Sequence, residues 1–252
     1  MIYTGLVSVT FRKIEAEEIV KLVSKAGLDG IEWGGDIHVP HGNAERAREV
    51  LKMTIDTGLK VAAFGSYYRV ACDEVNKVGF EKVLETAVEL NAPTIRVWAG
   101  NKGSKDADEA WWNKVVEESR NIADMAQKAN ITVSFEYHGN TLTDTPEAAK
   151  RLLMEIDHKN IYSYWQPSLG LNVEQRVESL KDISPWLSNI HTFYWVDRVR
   201  QPLADGISEW NKYFEVIGQI KGDRYSMLEF VKDESPEQFL EDAKILTKMV
   251  KI

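Results

Sequence analysis

Three side chains suited to acid–base or metal chemistry stand in or at the ends of short apolar runs. Glu136 closes Val133-Ser134-Phe135-Glu136, and Glu229 closes Tyr225-Ser226-Met227-Leu228-Glu229. His191 lies in Asn189-Ile190-His191-Thr192-Phe193-Tyr194-Trp195. A carboxylate set in an apolar strand is seldom buried alone, because desolvating its charge is costly. For either Glu by itself, a salt bridge to a nearby Arg or Lys explains it equally well. Two carboxylates and an imidazole converging on one point would instead form a divalent metal site.

Whether they converge depends on the elements that carry them. Four amphipathic runs end in Ala26-Gly27, Thr57-Gly58, Leu90-Asn91 and Ala129-Asn130, and a short apolar run follows each within a few residues. Gly or Asn just past a helix takes up the left-handed stop that satisfies the last turn's carbonyls. The runs that follow are Gly30–Trp33, Lys60–Phe64, Thr94–Trp98 and Ile131–Glu136. They are too short for helices and rich in Val, Ile and aromatics, so they read as strands. Further strands are expected near residues 3–9, 160–165, 188–195 and 224–231. Thr145-Pro146 and Ser235-Pro236 mark helix starts, with a capping box expected between Ser235 and Gln238. Eight units of about 30 residues each, without a surplus segment, predict a (β/α)8 TIM barrel in one domain spanning residues 1–252. An open doubly wound sheet is the alternative for the same alternation.

In such barrels chemistry gathers at the C-terminal ends of the strands. Trp33, Trp98, Trp165 and Trp195 are expected there, where flat indole faces suit the C–H faces of a sugar. Plugging of the barrel top is the competing account of each. Glu32, at the end of the second strand, and His38, in the loop beyond it, are further candidates for substrate contact. So are Arg96, two residues before Trp98, and His138, two residues after Glu136. Tyr67, Tyr68 and Arg69 follow the third strand as part of a possible lid. Asp197, Arg198 and Arg200 follow the seventh, where arginines would meet an anionic group or simply face water. His158 is expected at the surface.

In the order Glu136, Gln166, His191, Glu229, the chain resembles the xylose isomerase-like superfamily of sugar isomerases and epimerases over essentially its whole length. The resemblance is strongest at Ser134-Phe135-Glu136 and Met227-Leu228-Glu229-Phe230. It implies one divalent metal ion (Mn, Mg, Co or Zn) held by Glu136, Gln166, His191 and Glu229 from the fifth to eighth strands. It also implies that Glu136 and Glu229 act as the catalytic acid and base on an enediolate. At the sixth strand Gln166 stands where the family has Asp, so the site lacks one negative charge.

The resemblance makes a metal-dependent isomerase or epimerase of a small sugar, polyol or sugar acid the leading expectation. A dehydratase of polyol ketones and a sugar-binding relative without chemistry are the alternatives. The net charge of −8 argues against a nucleic-acid partner. Five histidines also suit a trinuclear-zinc endonuclease poorly. No run of about 18 apolar residues suggests a membrane span. One cysteine, Cys72, fits a reducing compartment, so a cytoplasmic location is expected. Self-association into a homo-oligomer is left open.

Overall fold

The computed structural model describes residues 1–251. Strands and helices alternate as β1 (Ile2–Val7), α1 (Ala16–Ala26), β2 (Gly30–Gly34), α2 (Ala44–Asp56), β3 (Lys60–Arg69), α3 (Phe80–Glu89), β4 (Thr94–Trp98) and α4 (Glu109–Lys128). The second half continues with β5 (Thr132–Phe135), α5 (Pro146–Ile156), β6 (Ile161–Trp165), α6 (Val173–Asp182) and β7 (Leu187–Thr192). It ends with a hairpin, β8 (Tyr194–Val196) and β9 (Val199–Gln201), then α7 (Ile207–Ile217), β10 (Arg224–Leu228) and α8 (Pro236–Met249). Eight parallel strands close a barrel in the order β1, β10, β7, β6, β5, β4, β3, β2. The (β/α)8 architecture expected from the repeat is therefore the one observed.

Its local determinants are those read from the sequence. Gly27, Gly58, Asn91 and Asn130 all adopt the left-handed conformation, with φ of 68°, 81°, 52° and 58°. The Thr145 and Ser235 hydroxyls accept hydrogen bonds from the backbone N–H groups of Ala148 and Gln238. The reciprocal half of the capping box is not made at Ser235, because the Gln238 side chain donates to Asp242 instead. Asn172 and Gln175 form a complete box at the start of α6.

Outward strand residues such as Ile31, Ile95 and Val133 pack under the helices in one large core. Each fully buried aliphatic of this kind contributes roughly 1.5–3 kcal/mol. A second cluster, Val7, Ala63, Tyr164 and Met227 among it, is separate from the first. No helix among the described residues is long and apolar enough to cross a membrane.

The expected strand at 188–195 divides. β7 stops at Thr192, and the chain then forms the antiparallel β8–β9 hairpin, turning through Asp197 and Arg198 with φ of 48° and 65°. Two consecutive left-handed residues match the twist of a tight hairpin. Trp195 consequently sits on this hairpin rather than on a barrel strand. The eighth barrel strand is β10.

Candidate metal centre and active site

Glu136, Gln166 and Glu229 each occupy the first position after a barrel strand (β5, β6 and β10), and His191 lies within β7. These neighbouring strands aim the side chains at one point. Carboxylate oxygens of Glu136 and Glu229 and a ring nitrogen of His191 all lie within 4.8 Å of one another, and all three residues are buried. His191 Nδ1 is 3.3 Å from Glu229 Oε2 and 3.8 Å from Glu136 Oε1. It is 3.0 Å from Gln166 Oε1. The Gln166 amide N–H donates to the Tyr137 carbonyl at 2.8 Å, which turns its oxygen toward His191.

A buried ion pair stands behind these residues. Arg96, on β4, donates from Nε to Glu32 Oε1 at 2.6 Å and from Nη1 to Glu136 Oε2. The Trp98 indole N–H donates to that same Glu136 oxygen at 2.6 Å. Glu32 Oε2 faces His191 Nε2 across 3.7 Å. Both Glu32 and the guanidinium are shielded from water. Gly65 of β3 leaves room for the pair: a Cβ there would lie 2.7 Å from both Arg96 Nη2 and Glu32 Oε1.

Electrostatics follow from this packing. Burial opposes ionisation of Glu32, but the Arg96 charge and His191 outweigh it and hold the carboxyl down at about 2. Burial likewise disfavours a charged His191, yet Glu229 and Glu32 raise its pKa to about 10. With a neutral imidazole, three buried carboxylates would face a single guanidinium, an excess of two negative charges. A divalent cation cancels that excess, and two carboxylate oxygens, an imidazole nitrogen and an amide oxygen are a donor set that several such ions accept. The residues present therefore fit a divalent metal.

Above this centre opens a cavity of about 480 Å³ whose walls include Glu136, Gln166, Glu229, Trp98, His138 and Trp195. The His138 ring is stacked on Trp98 with centroids 4.2 Å apart. Its Nδ1 lies 2.8 Å from the Gly139 carbonyl, which can only accept, so Nδ1 carries a proton. The Arg69 guanidinium is also 4.2 Å from the Trp98 centroid, so sugar stacking on that ring would have to displace one of these groups.

The other expected contacts lie elsewhere. Trp33 points outward from β2 and donates to Thr54 of α2, and Trp165 donates likewise to Ser179 of α6. Both are fully buried between sheet and helices, and neither lines the cavity. A strand alternates faces at every residue, so Glu32 turns inward and its neighbour Trp33 must turn outward. His38 is buried in its loop, with Nδ1 taken by Ser8 and Nε2 by the Ile14 carbonyl. Burial lowers its pKa, and with both nitrogens engaged it offers nothing to a substrate. Glu32 and Arg96 act one layer below the cavity. His158 pairs with Asp124 near the surface.

Several cavity residues escaped the sequence reading: Arg12, Thr143, Asp144, Leu169, Phe193 and Phe230. Arg12 follows the first strand, and that position is the signal which would have found it. Tyr67, expected in a lid after the third strand, lies within β3 and lines the cavity; its φ of 58° falls at a break in the β3–β4 register.

The family profile for xylose isomerase-like TIM barrels matches residues 20–249. The chain belongs to this family. It is similar to a 3-dehydroshikimate dehydratase of Bacillus anthracis, 28% identical over 206 residues that cover 74% of this chain and 70% of that protein. Among solved structures it resembles a probable 3-DHS dehydratase involved in petrobactin synthesis from the same organism (TM-score 0.79, 23% identity, 98% and 99% of the two chains). It also resembles a D-psicose 3-epimerase from Clostridium cellulolyticum H10 (TM-score 0.75, 13% identity, 99% and 98% of the two chains). Members of one fold family thus carry both epimerase and dehydratase names.

Proposed function

We propose that this family member is a divalent-metal-dependent isomerase or epimerase of a small sugar-like substrate, working by proton transfer at the carbon next to a carbonyl. The observation that carries the proposal is the buried meeting of Glu136, His191 and Glu229 at the floor of an open cavity. A divalent ion held there by these residues and Gln166 would polarise the carbonyl and stabilise enediolate oxygens. The chain itself supplies the proton traffic. Glu229, whose carboxylate has His191 as its one side-chain partner among the described residues, is the freer carboxylate and takes the proton from carbon. Glu136, held by Arg96 and Trp98, stands across from it as the second acid–base group. Return of the proton to the opposite face inverts a centre; return to the adjacent carbon exchanges aldose and ketose.

A dehydratase is the second reading, favoured by the Bacillus anthracis relative. There the same enediolate expels a β-hydroxyl, which leaves as water by taking the proton that the carboxylate base removed from carbon, and His138 in the cavity wall is a further group that could relay it. The experiment is kinetic. Glu136→Gln and Glu229→Gln keep shape and oxygen but remove the proton acceptor, and each should lower turnover by about 10²–10⁴-fold with substrate binding comparatively intact. Unchanged turnover in both variants would remove the proposal.

A further inference from the structure

The β8–β9 hairpin is outside the barrel, yet it supplies Trp195 and Arg198 to the cavity wall. Two arginines line that wall, and they differ. Arg12 is paired with Asp36 at 2.5 Å and donates to the Tyr67 hydroxyl. Arg198 makes no salt bridge and no side-chain hydrogen bond among the described residues. Arg200, two positions along, is fully used: it pairs with Glu234 and lies over the rings of Phe230 and Trp195. That contact ties the hairpin to the loop after β10, while the left-handed pair Asp197 and Arg198 sets the turn. A second donor on the hairpin also lacks a partner, since the Trp195 indole nitrogen is buried without an acceptor.

A free guanidinium at the wall of a cavity in a chain of net charge −8 gives an anionic ligand a local point of attraction. We infer that Arg198 is a specificity-determining residue and that the substrate of this site carries a carboxylate, which makes it a sugar acid or a hydroxylated keto acid. This rests on the proposed function for the site but adds a property that the metal centre does not require. A carboxylate is favoured over a phosphate by charge: one free guanidinium balances a monoanion, whereas a phosphate monoester near −2 leaves a charge unmatched. The planar fork of Arg also matches a carboxylate with two parallel hydrogen bonds.

The test uses the full chain loaded with Mn²⁺ and calorimetric binding of two matched sets. The first is D-fructose, D-fructuronate and D-fructose 6-phosphate; the second is 3-dehydroshikimate and its methyl ester. Arg198 is exposed at the cavity mouth, so its pairing is partly screened by water, and in at least one set the carboxylate should bind about 3- to 10-fold more tightly than its neutral partner. Arg198→Gln should abolish that margin while changing the neutral compound less than about twofold, and Arg198→Lys should keep part of it. A margin that survives Arg198→Gln overturns the inference. So does a preference for the phosphate, or failure of both carboxylates to bind. Solvent-hydrogen exchange on the same compounds reads the proposed chemistry separately. An Arg198-dependent carboxylate margin without exchange would leave the recognition standing and fail the enzyme reading. Equal exchange and equal binding for neutral and acidic members would do the reverse.

Discussion

Replacing Arg96 by Met is the most demanding perturbation of the charge arrangement. It leaves the methylene stem and removes the guanidinium. Glu32 Oε1 loses its donor at 2.6 Å, Oε2 keeps only the His191 ring 3.7 Å away, beyond hydrogen-bond distance, and water cannot reach a side chain that is 0% exposed. Glu136 loses one of the two donors to its Oε2. Breaking one side of a buried pair costs about 3–5 kcal/mol, a large part of the roughly 5–15 kcal/mol by which a protein is folded. At about 2–4 °C per kcal/mol for a chain of this size, Tm should fall by about 6–20 °C. The assay is thermal and urea denaturation of chelator-treated protein, with Glu32→Gln and the double variant alongside. Removing both charges together avoids the stranded carboxylate, so the double variant should recover at least about 1 kcal/mol relative to Arg96→Met. A loss below about 1 kcal/mol in Arg96→Met, or a double variant no more stable than that single one, would refute the reasoning.

Gly65→Ala should destabilise by about 1–3 kcal/mol in urea melts, because its Cβ enters the space of Arg96 and Glu32; an unchanged midpoint would show that the pair has room to move. The raised pKa of His191, about 10, means that the ring carries a proton in metal-free protein at neutral pH, and a metal at Nδ1 must displace it. Metal binding should therefore release about one proton between pH 6 and 9, with affinity rising about tenfold per pH unit and levelling off above the raised pKa. Calorimetry in buffers of different ionisation heat measures this directly, and a proton count of zero contradicts it. Gln166→Asp adds a carboxylate to the donor set, so metal titration should show tighter binding with activity retained; weaker binding would place Gln166 outside the donor set.

What the sequence made legible is what depends on one residue and its neighbours. Gly27, Gly58, Asn91 and Asn130 stop helices because of their own backbone preferences, and the repeat they punctuate implies the barrel. The positions of Glu136 and Glu229 followed from the rule that strand ends face the mouth. What was hidden depends on parity and on partners far along the chain. Glu32 and Trp33 are adjacent, yet one enters the barrel and the other the helix layer, and a one-residue step decides which. The Arg96–Glu32 pair spans 64 positions, so only the closed sheet brings it together. The histidine at 38 could be read from sequence as a ligand-binding group because Ser8 and the Ile14 carbonyl, which satisfy it, come from another segment. The hairpin was fused with β7 because Phe193-Tyr194-Trp195 continues the same apolar run.

The central claim is that Glu136, Gln166, His191 and Glu229 hold a divalent metal that makes a carbon-bound hydrogen labile. The measurement closest to it is exchange of substrate hydrogen with heavy water, followed by NMR while Mn²⁺ is titrated into chelator-stripped protein with a panel of sugars, sugar acids and 3-dehydroshikimate. Stripped protein should show no exchange, and on at least one compound exchange should rise with metal and saturate at one ion per chain. Exchange at full rate without metal, or a compound that binds with one ion in place yet never exchanges, would contradict it.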